Sequence, residues 1–537
     1  MSRDCHHRGI GHSLIQSQST STTRKTAALS LTRAFLQLAL LASVFIVASC
    51  GLAYELIAGA LASYLIGDSV TQFSTVIGTY LFAMGIGSWL SGYIGRGLVT
   101  RFIQIEILVG VLGGYSATAL FLVFAWLSAP FQPLLYIVVL LLGILVGMEI
   151  PLVMRILKRD LEFKDVVSQV LTFDYLGALL VSILFPLLLA PELGLIRTGL
   201  LFGLLNVAVA LWAIHLFREH LPSHHGLRLQ SVLALLLLLA GFAGAERLTS
   251  FAEQHVYADS VIFAKSTPYQ RIVVTRWKND LRLFLNNNLQ FSSHDEYRYH
   301  EALIHPALAS LPHARRVLVL GGGDGLALRE ILKYPNIESA TLIDLDGEMT
   351  QLFSTLPMLT ELNGGALTHP RVKVINADAM RWLEEHDEAY DLIVVDFPDP
   401  SNFSIGKLYT SAFYRLLDRH IAPQGLAVIQ STSPLYARKS FWCVVNTLES
   451  LGLQTTPYHV LVPSFGEWGF VITGRSTYQP PTRYPVATRF LDAATTPQLF
   501  HFPKDMAREG VEPIEVNQLN NQVLVRYFEE EWRKVIR

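Results

Sequence analysis

The chain has 537 residues, of which 51% are hydrophobic and only 16% charged. That is too apolar for a water-soluble enzyme of two or three domains. A formal net charge of -2 excludes the basic footprint of a nucleic-acid partner, and Cys5, Cys50 and Cys443 offer neither metal-ligand spacing nor a disulfide framework.

Residues 1–33 are polar, rich in Ser and Thr, and carry Arg24, Lys25 and Arg33; they predict a disordered tail rather than a signal peptide. Residues 34–246 predict a membrane domain of about seven transmembrane helices, near 34–55, 72–94, 102–126, 131–153, 166–190, 195–217 and 228–245. Gly78, Gly85, Gly87 and Gly92 let helices approach closely in the second of them. Glu55, Glu106, Glu149 and Asp174 fall within or near the spans. Such acids usually face the bundle interior, either along a path for a cationic solute or beside structural partners. Arg96 and Arg101, then Arg155, Lys158, Arg159 and Lys164, then Arg218 and Arg228 mark alternate loops, which puts the N-terminus inside. Seven crossings would leave the rest of the chain outside.

Residues 247–312 predict a small β domain, with strands at Val261–Phe263, Arg271–Thr275 and Leu281–Leu285. Strand and helix signals then alternate over residues 313–478, which argues a Rossmann-like, doubly wound parallel sheet. Its first strand, Val317–Leu320, runs into Gly321-Gly322-Gly323-Asp324-Gly325. Glycines there turn the chain tightly and let a ligand approach the backbone. Asp344 ends the next strand, about 20 residues on, where a ribose diol needs a carboxylate. Asp324 inside the glycine run points to a cationic ligand. Tyr390–Asp396 is a second buried strand ending in an acid, and the prolines of Phe397-Pro398-Asp399-Pro400 then stop regular structure. Both acids therefore sit at the carboxyl edge of the sheet, where ligands bind. Residues 479–537 read as a polar, partly helical C-terminal tail.

These motifs occur in the order and spacing of spermidine synthases. Thr267-Pro268-Tyr269-Gln270, Asp295 to Glu301, Gly321 to Gly325, Ala377-Asp378-Ala379, Val395 to Pro400 and Leu408-Tyr409-Thr410 carry the likeness. With its apolar N-terminal half, the chain resembles the membrane-fused bacterial members of that family. The resemblance implies the α/β fold of S-adenosylmethionine-dependent transferases. It also implies transfer of an aminopropyl group from decarboxylated S-adenosylmethionine, as co-substrate, to putrescine. No metal or other cofactor is expected.

Roles carry over position by position. Gln270, Gln290, Gly321, Gly323, Asp344 and Asp378 would hold the donor nucleoside, Asp344 at the ribose and Asp378 at the adenine amino group. Asp324 would bind the aminopropyl ammonium. Asp396 would be the catalytic base, with Tyr299 positioning the amine, and His300, Glu301 and Asp399 would lie on the amine side. The chemistry fits independently. A sulfonium is already a good leaving group, whereas an aliphatic amine with a pKa of about 10 needs a base. The sequence departs from the family pattern at Asn286-Asn287, usually Asp-Gly, at Leu326, at Asp344, usually Glu, and at Pro463–Gly466, which lacks a tyrosine. These changes leave the acceptor open: another amine, or a methyltransferase reaction, is the alternative. A polyamine transporter with a nucleotide-sensing half is a third reading. The partners expected are a polyamine and the lipid bilayer, with a homo-oligomer one option. The location expected is the bacterial inner membrane, with the catalytic half cytoplasmic, against the side that seven crossings give.

Overall fold

The computed structural model describes residues 11–66, 69–126, 131–158, 163–218, 221, 224–257, 259–511 and 513–536. The chain divides into two units, one helical and ending at Val256, the other α/β and starting at Tyr257, with residues 64–70 grouped with the second.

The helical unit comprises α1 (Gly11–Ile66), α2 (Ser69–Ser91), α3 (Leu98–Trp126), α4 (Phe131–Leu157), α5 (Phe163–Leu184), α6 (Gly194–Leu216) and α7 (His224–Val256). The polar segment expected to be irregular is helical from Gly11 onward. No proline or glycine interrupts it before Gly51, so nothing breaks the backbone ladder.

Among the described residues, six helical stretches are long and apolar enough to cross a membrane by length and composition, where seven spans were expected. The segments expected at 166–190 and 195–217 belong to one run, Lys164–Leu216. A wide π-helical stretch, Phe185–Leu193, contains Pro186 and Pro191, whose missing N–H groups disrupt the ordinary ladder. Helical bonding then resumes beyond Gly194, which takes a positive φ of 72°. The Thr198 hydroxyl donates to the Leu189 carbonyl at 3.1 Å, so the run bends there.

This unit is apolar outside as well as in its core, and a few acids lie inside it. Leu81, Phe82, Trp89, Leu187 and Leu236 are exposed, whereas Glu106 and Glu149 are buried.

The α/β unit begins with a four-stranded antiparallel sheet in sequence order: β1 (Ser260–Ser266), β2 (Arg271–Trp277), β3 (Asp280–Leu285) and β4 (Asn288–Ser292). Asn286 and Asn287 make the β3–β4 turn with φ of 48° and 66°. Asparagine tolerates this left-handed region, so the pair replaces the usual Asp-Gly without changing the hairpin.

After α8 (Glu296–Ala309) come β5 (Arg316–Gly321), α9 (Leu326–Leu332), β6 (Ser339–Asp344), α10 (Gly347–Thr355), β7 (Val372–Asn376), β8 (Tyr390–Asp396), β9 (Ile421–Gln430), β10 (Gln454–Val462) and β11 (Gly466–Gly474). They form one sheet, ordered β10-β11-β9-β8-β5-β6-β7. Strand β11 is antiparallel to both its neighbours; β5 to β9 pair in parallel. This is the doubly wound sheet that the alternation predicts, closed at one edge by a hairpin.

The central strands are buried on both faces. Val317, Val319, Leu392 and Val394 pack with Leu303 of α8 and with Ile272 and Phe291 of the small sheet. Leu318, Leu320, Ile393 and Val395 face the opposite way, toward Phe413 and Phe441. Apolar runs without alternating polarity are what a strand covered on both sides requires. The predicted tail joins these cores: Leu491 and Leu499 enter the first, Val523, Leu524 and Tyr527 the second.

Candidate active site

Gly321 and Asp396 end adjacent parallel strands and are partners in register. The connection after β5 leads to β6 on one side, while β8 lies on the other, so a crevice opens at this switch of strand order. The chain after β5 turns through Gly321, Gly322 and Gly325, with φ of 82°, 68° and 77°. A Cβ on Gly321 would collide with the Asp396 carbonyl oxygen, and one on Gly323 would lie 2.7 Å from Asp344 Oδ2. These glycines let two acidic strand ends close on the turn.

The acids form a row. Asp344 accepts from the Gly323 N–H at 3.0 Å and the Asp346 N–H at 2.9 Å. Asp324 accepts from the Leu326 N–H at 2.9 Å and lies within electrostatic reach of Asp344, Asp396 and His300. The Tyr299 hydroxyl donates to Asp396 Oδ1 at 2.6 Å. Asp399 accepts from Gln430 Nε2 at 2.9 Å and Thr432 Oγ1 at 3.2 Å.

Burial pushes Asp324, Asp344 and Asp399 each up to about 6. It also raises Asp396, against the opposing effects of His300 and the Tyr299 hydrogen bond. Burial and the nearby Asp396 carboxylate raise Tyr299 well above the usual phenol value, so it stays a donor. Several carboxyls pushed upward in one crevice are the electrostatic signature of a site built for cations.

Beneath the row lies a buried ion network. His300 Nδ1 donates to Glu296 Oε2 at 2.8 Å. Arg329 grips both Glu296 oxygens at 2.9 Å each, and also Glu330 at 2.9 Å. Burial alone would lower His300, but the Glu296 carboxylate raises it above the usual imidazole value. A cationic His300 next to Asp324 and Asp396 favours their ionised forms.

The structure thus brings together Tyr299, His300, Asp324, Asp344, Asp396 and Asp399. Glu301 lies apart from them. Its carboxylate accepts from the backbone N–H groups of Arg489, Phe490 and Leu491 at 2.6, 2.9 and 3.1 Å. It follows His300 on α8 and therefore points elsewhere, into the C-terminal segment, where it anchors the chain.

Gln270 donates to Asp346 Oδ2 at 2.9 Å, as does Thr267 at 2.8 Å. Gln290 turns its amide to the carbonyls of Asn288 and Leu289, at 3.1 and 3.4 Å. Asp378 caps the helix Ala379–Glu385 through the N–H groups of Met380 and Arg381, and its other oxygen accepts from Lys407 Nζ at 2.7 Å. An adenine amino group at Asp378 would share that carboxylate with Lys407.

Sequence reasoning missed Asp346, Lys407, Gln430, Thr432 and the Glu296–Arg329 pair. The spacing Asp344-x-Asp346 was a legible signal for the first. The others become neighbours only when segments distant in sequence meet.

Residues 296–484 match the family model of the spermine/spermidine synthase domain. "Polyamine aminopropyltransferase 2" of Ralstonia nicotianae is 61% identical over 506 residues, which cover 93% of this chain and 99% of that protein. The polyamine aminopropyltransferase of Leptospira interrogans is 53% identical over 501 residues, covering 93% and 100%. A solved spermidine synthase from Thermotoga maritima matches with a TM-score of 0.42 and 22% identity over 46% of this chain and 87% of that one. Identity at this level through the helical unit as well as the α/β unit makes the chain a member of the polyamine aminopropyltransferase family.

Proposed function

We propose that the α/β unit transfers the aminopropyl group of decarboxylated S-adenosylmethionine to putrescine, giving spermidine and methylthioadenosine. The observation that carries this reading is the row of half-buried acids, Asp344, Asp324, Asp396 and Asp399, at the carboxyl edge of the sheet beside the glycine turn. Each has a counterpart in the chemistry. Asp344 takes the ribose hydroxyls, and Asp324 the ammonium of the aminopropyl arm. Asp396 takes the proton from the attacking amine. That nitrogen then bonds to the methylene carbon beside sulfur as the carbon–sulfur bond breaks, and the electron pair leaves with methylthioadenosine. Tyr299 holds the Asp396 carboxylate in place, His300 favours its ionised form, and Asp399 receives the far ammonium of the diamine. A methyltransferase with a neutral substrate has no use for Asp324, Asp396 and Asp399 together.

The helical unit fits a bilayer. Its exposed Leu81, Phe82, Trp89 and Leu187 would be costly in water and are solvated by lipid. We assign the protein to the cell membrane as a multi-pass chain with its α/β unit cytoplasmic.

The test incubates the purified protein with decarboxylated S-adenosylmethionine and a panel of amines, followed by mass spectrometry. Spermidine from putrescine is expected. Methylation of any amine by ordinary S-adenosylmethionine, with no aminopropyl product, would overturn the assignment. Reporter fusions at the C-terminus read the side of the membrane.

A further inference from the structure

We infer that the helical unit holds a second ligand site, for an alkylammonium ion, built from Glu106, Glu149, Asn206 and Tyr54. The inference rests on the reading that this unit lies in a bilayer. The four residues come from different helices: Tyr54 from α1, Glu106 from α3, Glu149 from α4 and Asn206 from α6. None is more than 2% exposed. Among the described residues, both carboxylate oxygens of Glu106, Oε1 of Glu149, both amide atoms of Asn206 and the Tyr54 hydroxyl have no hydrogen-bond partner.

They converge on one place. Glu149 is within electrostatic reach of Glu106. Tyr54 and its helical neighbour Cys50 are each within reach of both glutamates. Cys50 also meets the Asn206 backbone. Glycines bring the helices together there. A Cβ on Gly110, one turn beyond Glu106, would lie 3.2 Å from Asn206 Cβ, and one on Gly113 would lie 2.5 Å from the Tyr54 ring.

Packing alone does not account for this set. An unpaired buried carboxylate costs several kcal/mol, and orphaned amide and hydroxyl groups add about 1–3 kcal/mol each. Leucine or phenylalanine would fill the same space without that cost. The cluster lacks a cation rich in hydrogen-bond donors. Among the described residues, no group of three or more His, Cys, Asp or Glu is arranged to hold a metal ion. An ammonium group offers three N–H donors on one positive centre. Its three donors can bridge two separated glutamates and still meet the Asn206 amide oxygen. The class of ligand is therefore that of the α/β unit's own acceptor and product.

The test titrates the full chain in lipid nanodiscs with radiolabelled putrescine, without donor. Two sites per chain are expected. Glu106→Gln/Glu149→Gln should keep one of them together with aminopropyl turnover, and Asp324→Asn/Asp396→Asn should keep the other. One site in the wild type, as for a pair of glutamates that only binds protons, overturns the inference; so do two sites in Glu106→Gln/Glu149→Gln. Should that double variant fail to fold, carbodiimide labelling of the wild type decides. Putrescine is expected to suppress labelling of Glu106 and Glu149, and equal labelling with and without it counts against the site. Turnover is read on the same nanodiscs, so failure of the proposed reaction is seen separately from failure of this site.

Discussion

Asp396 is the residue on which the proposed chemistry turns. Its carboxylate ends β8, is held by Tyr299 at 2.6 Å, and lies within reach of Asp324 and His300. Asp396→Asn keeps the shape and the Tyr299 contact but cannot accept a proton. Turnover is expected to fall by about 10²–10⁴-fold, the usual contribution of a general base, with donor affinity nearly unchanged. Single-turnover kinetics alongside donor calorimetry checks this split. Asp324 gives a pH prediction. Burial holds it at about 6, and a cationic donor binds its ionised form. Lowering the pH through 6 protonates it and removes the attraction, so donor affinity should drop below about pH 6 and level off above it. At pH 6 donor binding should release a proton. Calorimetry in buffers of different ionisation enthalpy measures that release, and Asp324→Asn should reduce it by the share of one group.

At the scale of elements, α8 and α9 are joined by charge as well as packing. Glu296 at the start of α8 takes two bonds from Arg329 of α9 and one from His300. These bonds hold Glu296 below the usual carboxylate value despite its burial. Removing one partner of such a buried network leaves the other charged and unpaired, at a cost of about 3–5 kcal/mol. Arg329→Met should destabilise the α/β unit by that amount in chemical denaturation. It should also slow turnover, because His300 rides on Glu296; a loss of stability below about 1 kcal/mol would contradict the network's role. The glycine turn was legible in the sequence because only glycine adopts these φ values cheaply. Glu301 was misplaced because sequence adjacency to His300 says nothing of direction on a helix. Successive residues there diverge by about 100°, and Glu301 ties down the Arg489–Leu491 segment instead.

For the whole molecule, the two units have separate cores. Leu40, Phe102, Val153 and Ala210 belong to a cluster within the helical unit, and the clusters on the two faces of the large sheet lie wholly in the α/β unit. A chain of residues 257–537 is therefore expected to fold and to transfer aminopropyl groups, at a rate within about tenfold of the full protein, since every group assigned to the chemistry lies within it. Circular dichroism and product analysis of that fragment check this. A folded fragment that binds donor yet makes no product would place part of the acceptor site in the helical unit.

The sequence by itself determined the outline of the molecule: an apolar helical half, a glycine turn after a buried strand, and acids at strand ends. Local rules govern these features, namely hydrophobic period, glycine's freedom at positive φ, and the chain stops at Pro398 and Pro400. It also located Asp324, Asp344 and Asp396, because acids inside or just after an apolar strand stand out. Only the tertiary structure decided how those acids are held. Gln430 at the end of β9 and Thr432 just past it reach Asp399, Arg329 reaches Glu296 from one helix to another, and Lys407 reaches Asp378. The number of helical stretches was likewise a matter of three dimensions. The spans expected at 166–190 and 195–217 read as separate, yet the backbone carries Pro191 and Gly194 within one helical run. Contacts between residues far apart in the chain depend on strand order and helix direction, and no local pattern encodes either.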